Sequence, residues 1–286
     1  MLTHLSLFSG IGGLDLAAEW AGFQTVGQCE WADYPNKILE KHWPDVPKWR
    51  DIHELTATEF YQRTGTAPGQ LTCISGGFPC QPHSVAGKRK ASADERDMWP
   101  EMRRVIGEIR PRWVVGENVR GLLSSEDGRF FRGILGDFAG MGYDVGWCCY
   151  RAADVGAIHA RKRIAIVAWN VNGRIPAKVR KISCWQMPES NGGNQPFSNA
   201  YSDGQHRIVQ NAAKKCESGN ESCANVYASL LSAFDPKNPP GVFRSNDGAA
   251  NWMDRVRAIG NAVCPQQFYP IFRAIADIEN MNWSDV

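Results

Sequence analysis

Leu5-Ser6-Leu7-Phe8-Ser9-Gly10-Ile11-Gly12-Gly13-Leu14, close to the amino terminus, is the segment most informative about the fold. Its first residues are apolar and predict a β-strand, and the glycines that follow predict a tight turn. Leu14 begins a helical apolar spacing that Ala17, Ala18 and Ala21 continue. A strand, a glycine turn and a helix in this order let the backbone approach a ligand at the start of the helix. We therefore expect a ligand-binding turn here.

The rest of the first 170 residues continues the alternation of strands and helices. Apolar stripes at helical spacing predict helices around 98–109 and 131–138. Short apolar runs predict further strands at 24–31, 71–75, 113–117, 143–150 and 163–169. This alternation is typical of a wound parallel sheet, so we predict an α/β, Rossmann-like fold with helices on both faces.

The sequence changes in character after residue 170. Asn, Ser, Gly and Pro are frequent between residues 172 and 250, and little periodicity is visible there. Regularity returns in a closing amphipathic helix that carries Phe268, Ile271, Phe272 and Ile275. We expect a main domain at 1–170, a small irregular domain at 171–250, and a segment at 251–286 that returns to the main domain.

Composition excludes several classes of protein. No run approaches the roughly 18 apolar residues of a membrane helix, and no signal peptide precedes the first strand, so we expect a cytoplasmic protein. Nine cysteines without a Cys-x-x-Cys spacing predict neither a metal site nor a disulfide framework. The net charge of +2 argues against a strongly basic protein, but residues 170–215 hold seven basic side chains against two acidic ones. We expect a monomer.

Acidic and aromatic residues beyond the glycine turn predict a nucleoside cofactor. Glu30 follows Gly12 by 18 residues, at the end of the second strand, where a carboxylate can accept both ribose hydroxyls. Trp31 can cover an adenine face, and Asp51-Ile52 can meet the adenine edge. Asp15 replaces the third glycine of the dinucleotide fingerprint, which argues against a pyrophosphate and against an oxidoreductase.

A cysteine between two prolines follows the strand at 71–75. Cys80 stands in Gly76-Gly77-Phe78-Pro79-Cys80-Gln81-Pro82-His83-Ser84, where the prolines stiffen the backbone. Glu117 ends another strand, and the ends of parallel strands share one edge of the sheet. A carboxyl there can have a raised pKa and donate a proton. Arg161 and Arg163 alternate, so both can face one planar, oxygen-bearing substrate.

In their residues and in their order along the chain, these segments resemble the DNA cytosine-5 methyltransferases, and most of all the compact phage and bacterial members. The resemblance covers about 170 N-terminal residues and the final 35. The Pro-Cys-Gln and Glu-Asn-Val pair is highly specific. The matching segments are 5–13, Glu30-Trp31, Asp51-Ile52, Gly76-Gly77-Phe78-Pro79-Cys80-Gln81, Glu117-Asn118-Val119, Arg161-x-Arg163 and Gly260-Asn261-Ala262-Val263.

Three features depart from the family pattern. His159 stands where Gln is usual, and His83 stands where Phe is usual. The ninth motif, which normally supports the target-recognition domain, is not legible. None of these departures touches the residues that carry the chemistry, but the third leaves the fold and limits of the small domain open.

The resemblance implies sequence-specific methylation of DNA, in restriction–modification or in phage self-protection. S-adenosyl-L-methionine would be the cofactor, and the base would be flipped out of double-stranded DNA. It implies that Cys80 adds to cytosine C6, that Glu117 acts at N3, and that Arg163 with Arg161 holds O2. Residues 171–250 would then recognise the target.

Two further groups of residues follow from the resemblance and the sequence. The expected cofactor contacts are Phe8, Ser9, Gly10, Ile11, Gly12, Gly13, Leu14, Glu30, Trp31, Asp51, Ile52, Phe78, Pro79, Trp99, Asn261 and Ala262. A loop from Pro82 to Trp99 is expected to close over the flipped base and meet phosphates. The expected DNA contacts are Gln81, Ser84, Lys88, Arg89 and Lys90.

Two alternative functions share these motifs. A tRNA cytosine-5 methyltransferase would keep the same catalytic set, but the Cys-Phe-Thr that is typical of that branch is absent here. A catalytically silent DNA-binding regulator would keep the fold, but Cys80, Glu117 and Arg163 are all intact. Both observations favour an active DNA enzyme.

Overall fold

A computed structural model describes residues 1–79, 97–155, 161–170 and 260–281. Within these ranges the chain forms one seven-stranded sheet, in the order β3-β2-β1-β4-β5-β7-β6. The strands are β1 (Leu2–Leu7), β2 (Phe23–Cys29), β3 (Lys48–Trp49), β4 (Cys73–Gly76), β5 (Trp113–Val119), β6 (Tyr143–Arg151) and β7 (Lys162–Asn170). The helices are α1 (Gly13–Trp20), α2 (Asp33–His42), α3 (Ala57–Thr64), α4 (Trp99–Ile109), α5 (Arg129–Gly140) and α6 (Pro265–Asn280).

The strand directions confirm most of the predicted parallel sheet and correct the direction of β7. Strands β1 to β5 pair in parallel, whereas β7 is antiparallel to both β5 and β6. The short connection after Arg151 explains this difference, because a parallel crossover needs a dozen or more residues. The antiparallel direction has a consequence for the site. The start of β7 lies at the edge where β5 ends, and Arg163 pairs with Val119.

Helices cover both faces of the sheet, as predicted. On one face α6 packs against α1, the Phe272 ring meets the buried ring of His4 edge-on, and Trp113 donates a hydrogen bond to Glu279. On the other face Phe131 of α5 packs against Trp147 of β6. Because side chains alternate along a strand, Glu117 shares the α1–α6 face with Trp113. The fold therefore places this carboxyl beside the carboxyl-terminal part of the chain.

Two short helices and one short strand were not predicted from the sequence. Helix α2 buries only Asn36 and Leu39, and α3 buries only Phe60. So few buried positions do not make a legible apolar stripe. Strand β3 is two residues long and is defined by its pairing with β2.

The chain divides into two units, Met1–Ile175 with Asn246–Val286, and Pro176–Ser245. The predicted target-recognition domain at 171–250 lies outside the described residues, so its limits remain a prediction. Among the described residues, no helix is long and apolar enough to cross a membrane. In the same part of the chain, no group of three or more His, Cys, Asp or Glu side chains could hold a metal ion.

Candidate active site

The glycine turn has the backbone geometry of a ligand-binding turn. Phe8 and Gly10 have φ values of 51° and 55°, and Gly12, directly before α1, has a φ of 88°. Among the described residues no side chain caps this helix start. The turn thus presents backbone rather than side chains at the start of a helix, which favours an approaching ligand.

Glu30 is fixed at the end of β2 by two backbone donors. Its Oε2 accepts a hydrogen bond of 2.7 Å from Gly10 N, and its Oε1 accepts one of 2.8 Å from Ala32 N. Each carboxylate oxygen has a second lone pair, so both can accept further bonds from a ligand. Trp31 is 72% exposed beside this carboxylate. This arrangement is what the predicted ribose and adenine contacts need.

Asp51 and Ile52 follow β3 along the same edge. Oδ1 of Asp51 accepts a hydrogen bond of 2.9 Å from His53 N and lies 2.6 Å from His53 Nδ1. These contacts lower the pKa of Asp51 and keep it ionised. Ile52 is buried, and its carbonyl accepts a hydrogen bond from Arg104. The sequence analysis did not single out His53 or Arg104.

The carboxyl-terminal segment reaches the glycine turn. Any side chain at Gly13 would overlap the carbonyl oxygen of Val263, so the two backbones lie in close contact. Asn261 and Ala262 directly precede Val263 and are accessible. Residues more than 240 positions apart are thereby brought to one turn.

Phe78 and Trp99 are buried in the core. Their ring centroids lie 5.3 Å apart, and the Trp99 ring also packs against Phe138 at 5.2 Å. Trp99 Nε1 donates a hydrogen bond to Asp137. Pro79, by contrast, is exposed. Their assignment as cofactor-pocket walls remains a prediction.

Buried Glu117 forms an ion pair with half-buried Arg163 at the end of β5. Glu117 is 8% exposed, and its Oε1 lies 2.7 Å from Arg163 Nε. Burial raises the pKa of Glu117, while the charges of Arg163 and Arg161 act in the opposite direction. A Cβ atom at Gly77 would lie 2.9 Å from Oε2 of Glu117, so a side chain there would displace this carboxyl. The arrangement can deliver a proton or a strong hydrogen bond to a base.

Asn118 ties the end of β5 to the end of β4. Its Nδ2 donates a hydrogen bond of 3.0 Å to the carbonyl oxygen of Phe78, two residues before Cys80. Further along, Met98 N donates to Pro79 O. The chain segments that flank residues 80–96 therefore meet beside the end of β5.

Arg161 has a different partner from Arg163. Its Nη1 donates a hydrogen bond of 2.7 Å to the carbonyl oxygen of Gly260. Burial, together with the nearby charge of Arg163, lowers the pKa of Arg161. The expectation of two equivalent substrate donors is thus refined, because one arginine contacts Glu117 and the other contacts the carboxyl-terminal segment.

Several predicted residues lie outside the described ranges. They are Cys80, Gln81, His83, Ser84, Lys88, Arg89, Lys90 and His159. Their roles remain predictions.

The structure also gives Asp15 a structural role that was not predicted from the sequence. Asp15 is fully buried beneath the turn and accepts hydrogen bonds from Ser6 Oγ at 2.9 Å and from Gln28 Nε2 at 2.8 Å. Burial raises its pKa to about 6. The available signal was its place in the fingerprint, where a small glycine would be expected. An acid there joins β1, β2 and α1 below the predicted cofactor site.

Comparisons with known proteins agree with this geometry. Type II methyltransferase M.BsuFI of Bacillus subtilis is 33% identical over 200 residues, which cover 70% of this chain and 45% of that protein. Type II methyltransferase M.NgoMIV of Neisseria gonorrhoeae is 35% identical over 166 residues, which cover 58% of this chain and 51% of that protein. The chain thus spans about half the length of these curated relatives.

A solved structure and a family model extend the comparison. The Dnmt2 methyltransferase of S. pombe matches with a TM-score of 0.59 and 16% identity, over 98% of this chain and 100% of that chain, which shows a shared fold. The family model for C-5 cytosine-specific DNA methylase matches residues 2–236. The resemblance noted from the motifs is thereby confirmed, and the chain belongs to the C-5 cytosine-specific DNA methylase family.

Proposed function

We propose that this protein transfers a methyl group from S-adenosyl-L-methionine to C5 of a cytosine flipped out of double-stranded DNA. The observation that carries the proposal is the Glu117–Arg163 pair, with 2.7 Å between Oε1 and Nε. It stands beside the strand end that leads into Pro79 and Cys80. A proton donor for the base and the approach to a nucleophile thus share one edge of the sheet.

The residues of the turn fit such a cofactor. Gly10 has open space around its α-carbon, and the Glu30 carboxylate faces the turn through its bond to Gly10 N. Glu30 would accept the ribose hydroxyls, Trp31 would cover the adenine, and Asp51 would meet the adenine edge. When bound, the cofactor supplies an electrophilic methyl group.

The side chains of this protein would activate the base. Adding the Cys80 thiolate to C6 opens the C5–C6 double bond and makes C5 nucleophilic. Glu117 would donate a proton or a hydrogen bond to N3, which draws off the charge that develops on the ring. Arg163 would hold O2. After the methyl group has bonded to C5, loss of the C5 proton expels Cys80 and restores both the double bond and the thiolate.

The DNA contacts are proposed from the sequence. Lys88, Arg89 and Lys90, with Gln81 and Ser84, would meet DNA beside the flipped base. Residues 171–250 would read the target, with their basic side chains on phosphates. The relatives of bacterial origin support a role in restriction–modification or phage self-protection, in a bacterial or phage-infected cytoplasm. We propose that the protein acts as a monomer.

Trapping with a mechanism-based substrate tests the nucleophile. Bisulfite sequencing of DNA from expressing cells would first identify the methylated context. A duplex with 5-fluorocytosine in that context should then form a covalent, denaturation-resistant adduct with the wild-type protein, because fluorine cannot leave as a proton does. Cys80→Ser should form no adduct and should lose methyl transfer. Cys148→Ser, at a half-buried cysteine of β6, is the control and should keep both.

The other outcomes distinguish the alternatives. A fully active Cys80→Ser protein would falsify the assignment of the nucleophile. Incorporation of tritiated methyl groups into tRNA but not into duplex DNA would indicate the tRNA activity. Cofactor binding without methyl transfer to any DNA would indicate a silent regulator.

A further inference from the structure

The segment from Gly260 to Gln267 is hydrogen-bonded at both ends to one residue, Arg161. At one end, Arg161 Nη1 donates to Gly260 O over 2.7 Å. At the other, Gln267 Nε2 donates to Arg161 O over 3.2 Å and also lies 3.5 Å from Tyr150 O. The side chain and the backbone of Arg161 are therefore both held by the carboxyl-terminal segment.

The middle of the same segment lies on the glycine turn. Val263 contacts Gly13 backbone to backbone, so displacement of the turn and of this segment must be linked. Asn261 and Ala262, the proposed cofactor contacts, lie between Gly260 and Val263. A ligand that orders these two residues therefore also orders the carbonyl group that Arg161 binds.

Strand β7, which begins directly after Arg161, carries the proposed base pocket. Arg163 stands two residues further along β7 and contacts Glu117 through its Nε. Because β7 pairs with β5 along its length, a shift at the start of β7 is passed to the end of β5. The path from turn to carboxyl is thus contiguous and consists of hydrogen bonds, backbone contacts and strand pairing.

The side-chain amide of Gln267 supplies hydrogen bonds on which this path depends. It is 2% exposed, and packing alone at the start of α6 would be met by an apolar side chain. An amide at this position instead donates to backbone carbonyls at the end of β6 and the start of β7. A leucine of similar volume could make neither of these Nε2 hydrogen bonds, so the amide group and not its size links the two strands.

We propose that Gln267 is a positioning residue which, with Arg161, couples occupancy of the cofactor turn to the alignment of the Glu117–Arg163 pair. This inference rests on the proposed function, since it supplies that reaction with a link between its two binding sites. By reciprocity, a base bound at Glu117 would tighten cofactor binding by the same factor. The hydrogen bonds of Gln267 go to Tyr150 and Arg161, so it acts through the strands that carry them.

Hydrogen–deuterium exchange with S-adenosylhomocysteine as the probe tests the coupling on the full chain. In the wild type, the probe should slow exchange both in the turn, at 8–16, and in the start of β7, at 161–166. Gln267→Leu removes the amide at similar volume, so the turn should stay protected while cofactor-induced slowing at 161–166 falls at least about fivefold. Gln266→Leu, at the neighbouring glutamine that contacts Cys264, should behave as wild type.

Kinetics supply a second readout. In Gln267→Leu, kcat for methyl transfer should fall about tenfold, because the base pocket is misaligned, while the Kd for S-adenosylhomocysteine changes less than about threefold. Arg161→Met breaks the bond to Gly260 without touching Gln267, and it should lose the same remote protection. This variant provides the test if Gln267→Leu does not fold.

The possible results separate three conclusions. Equal cofactor-induced slowing at 161–166 in Gln267→Leu and wild type would overturn the coupling and leave the proposed function standing. Faster exchange of the variant to the same extent with and without the probe would mean a purely structural glutamine, and would also overturn the coupling. A wild type in which the probe protects no part of the turn would overturn the proposed function and the coupling together.

Discussion

Two buried carboxyls show how a single residue takes its properties from its partners. Burial raises the pKa of both Asp15 and Glu117. Asp15 meets neutral donors, Ser6 and Gln28, whereas Glu117 meets a guanidinium group. Asp15 lies closed beneath the turn, and Glu117 lies at the edge where strands end. Of the two, it is Glu117 that we propose exchanges a proton with the substrate.

The environment of Asp15 predicts a pH-dependent stability. Its folded pKa of about 6 stands above the ordinary aspartate value of 3.8, so its contribution to stability is fully present below pH 3.8 and is lost as the pH rises through 6. Asp15→Asn removes this titration. The free energy of unfolding of the variant, relative to wild type, should therefore rise by about 2 kcal/mol between pH 4 and pH 7. Urea unfolding across this range measures the difference.

Asp144→Asn, at an exposed position on β6, is the matched control and should show no comparable change. An Asp15→Asn curve that runs parallel to wild type across the range would mean that Asp15 is not protonated in the folded protein.

At the scale of elements, the direction of one strand decides the composition of the site. Had β7 run parallel to β5, its start would lie at the opposite edge of the sheet from the end of β5. Because it is antiparallel, Arg163 pairs with Val119 and reaches Glu117. The carboxyl-terminal helix contributes in a similar way, since it carries Gln267 to the start of β7.

Replacing either of two helical glycines by alanine should change stability, but in opposite directions. Gly13 lies against the carboxyl-terminal segment, whereas Gly133 faces open space. Gly13→Ala would push a methyl group into the Val263 backbone, so we expect a loss of about 1–3 kcal/mol in unfolding free energy and weaker cofactor binding. Gly133→Ala, in the open interior of α5, should instead stabilise the protein by about 0.5–1 kcal/mol. Denaturant unfolding and titration with S-adenosylhomocysteine measure both effects. Unchanged affinity in Gly13→Ala would argue against a cofactor role for this contact.

At the scale of the whole molecule, the distribution of charge matters more than its sum. The chain carries 32 basic and 30 acidic side chains, a net of +2, yet seven basic residues fall within 170–215 against two acidic ones. DNA affinity depends on charges that lie near phosphates, because each neutralised phosphate releases counterions. A nearly neutral protein can therefore still bind DNA in a salt-dependent way.

Salt dependence provides a prediction at this scale. Replacing Lys88, Arg89 and Lys90 by alanine should reduce the magnitude of the slope of log K against log salt concentration by about 2 to 3, since each phosphate contact contributes about 0.9. Fluorescence anisotropy with a labelled duplex, at several salt concentrations, measures the slope. Replacing the exposed Lys37 and Lys41 of α2 should leave it unchanged. Equal slopes for the triple variant and wild type would remove these residues from the DNA contacts.

Much of the fold and site could be predicted because the signals are local. The strand, turn and helix around Gly10 to Gly13 follow from apolar spacing and backbone freedom, and β1, α1, α4, α5 and α6 lie where their apolar residues predicted them. Helices α2 and α3 could not be predicted, because each buries too few apolar residues to show a helical spacing in the sequence. The limits of the small domain and the role of Cys80 remain predictions from the sequence.

The sequence alone was enough for the fold class and the family, because periodicity and motif order are local properties of the chain, and it predicts which residues carry the chemistry. Only the tertiary structure decided which of them meet. In the folded protein, Arg163 forms an ion pair with Glu117, and Arg161 donates a hydrogen bond to Gly260. Val263 lies against Gly13, and Asp15 is buried. These contacts join residues distant in the chain, and they depend on strand direction and close packing, which no local pattern encodes.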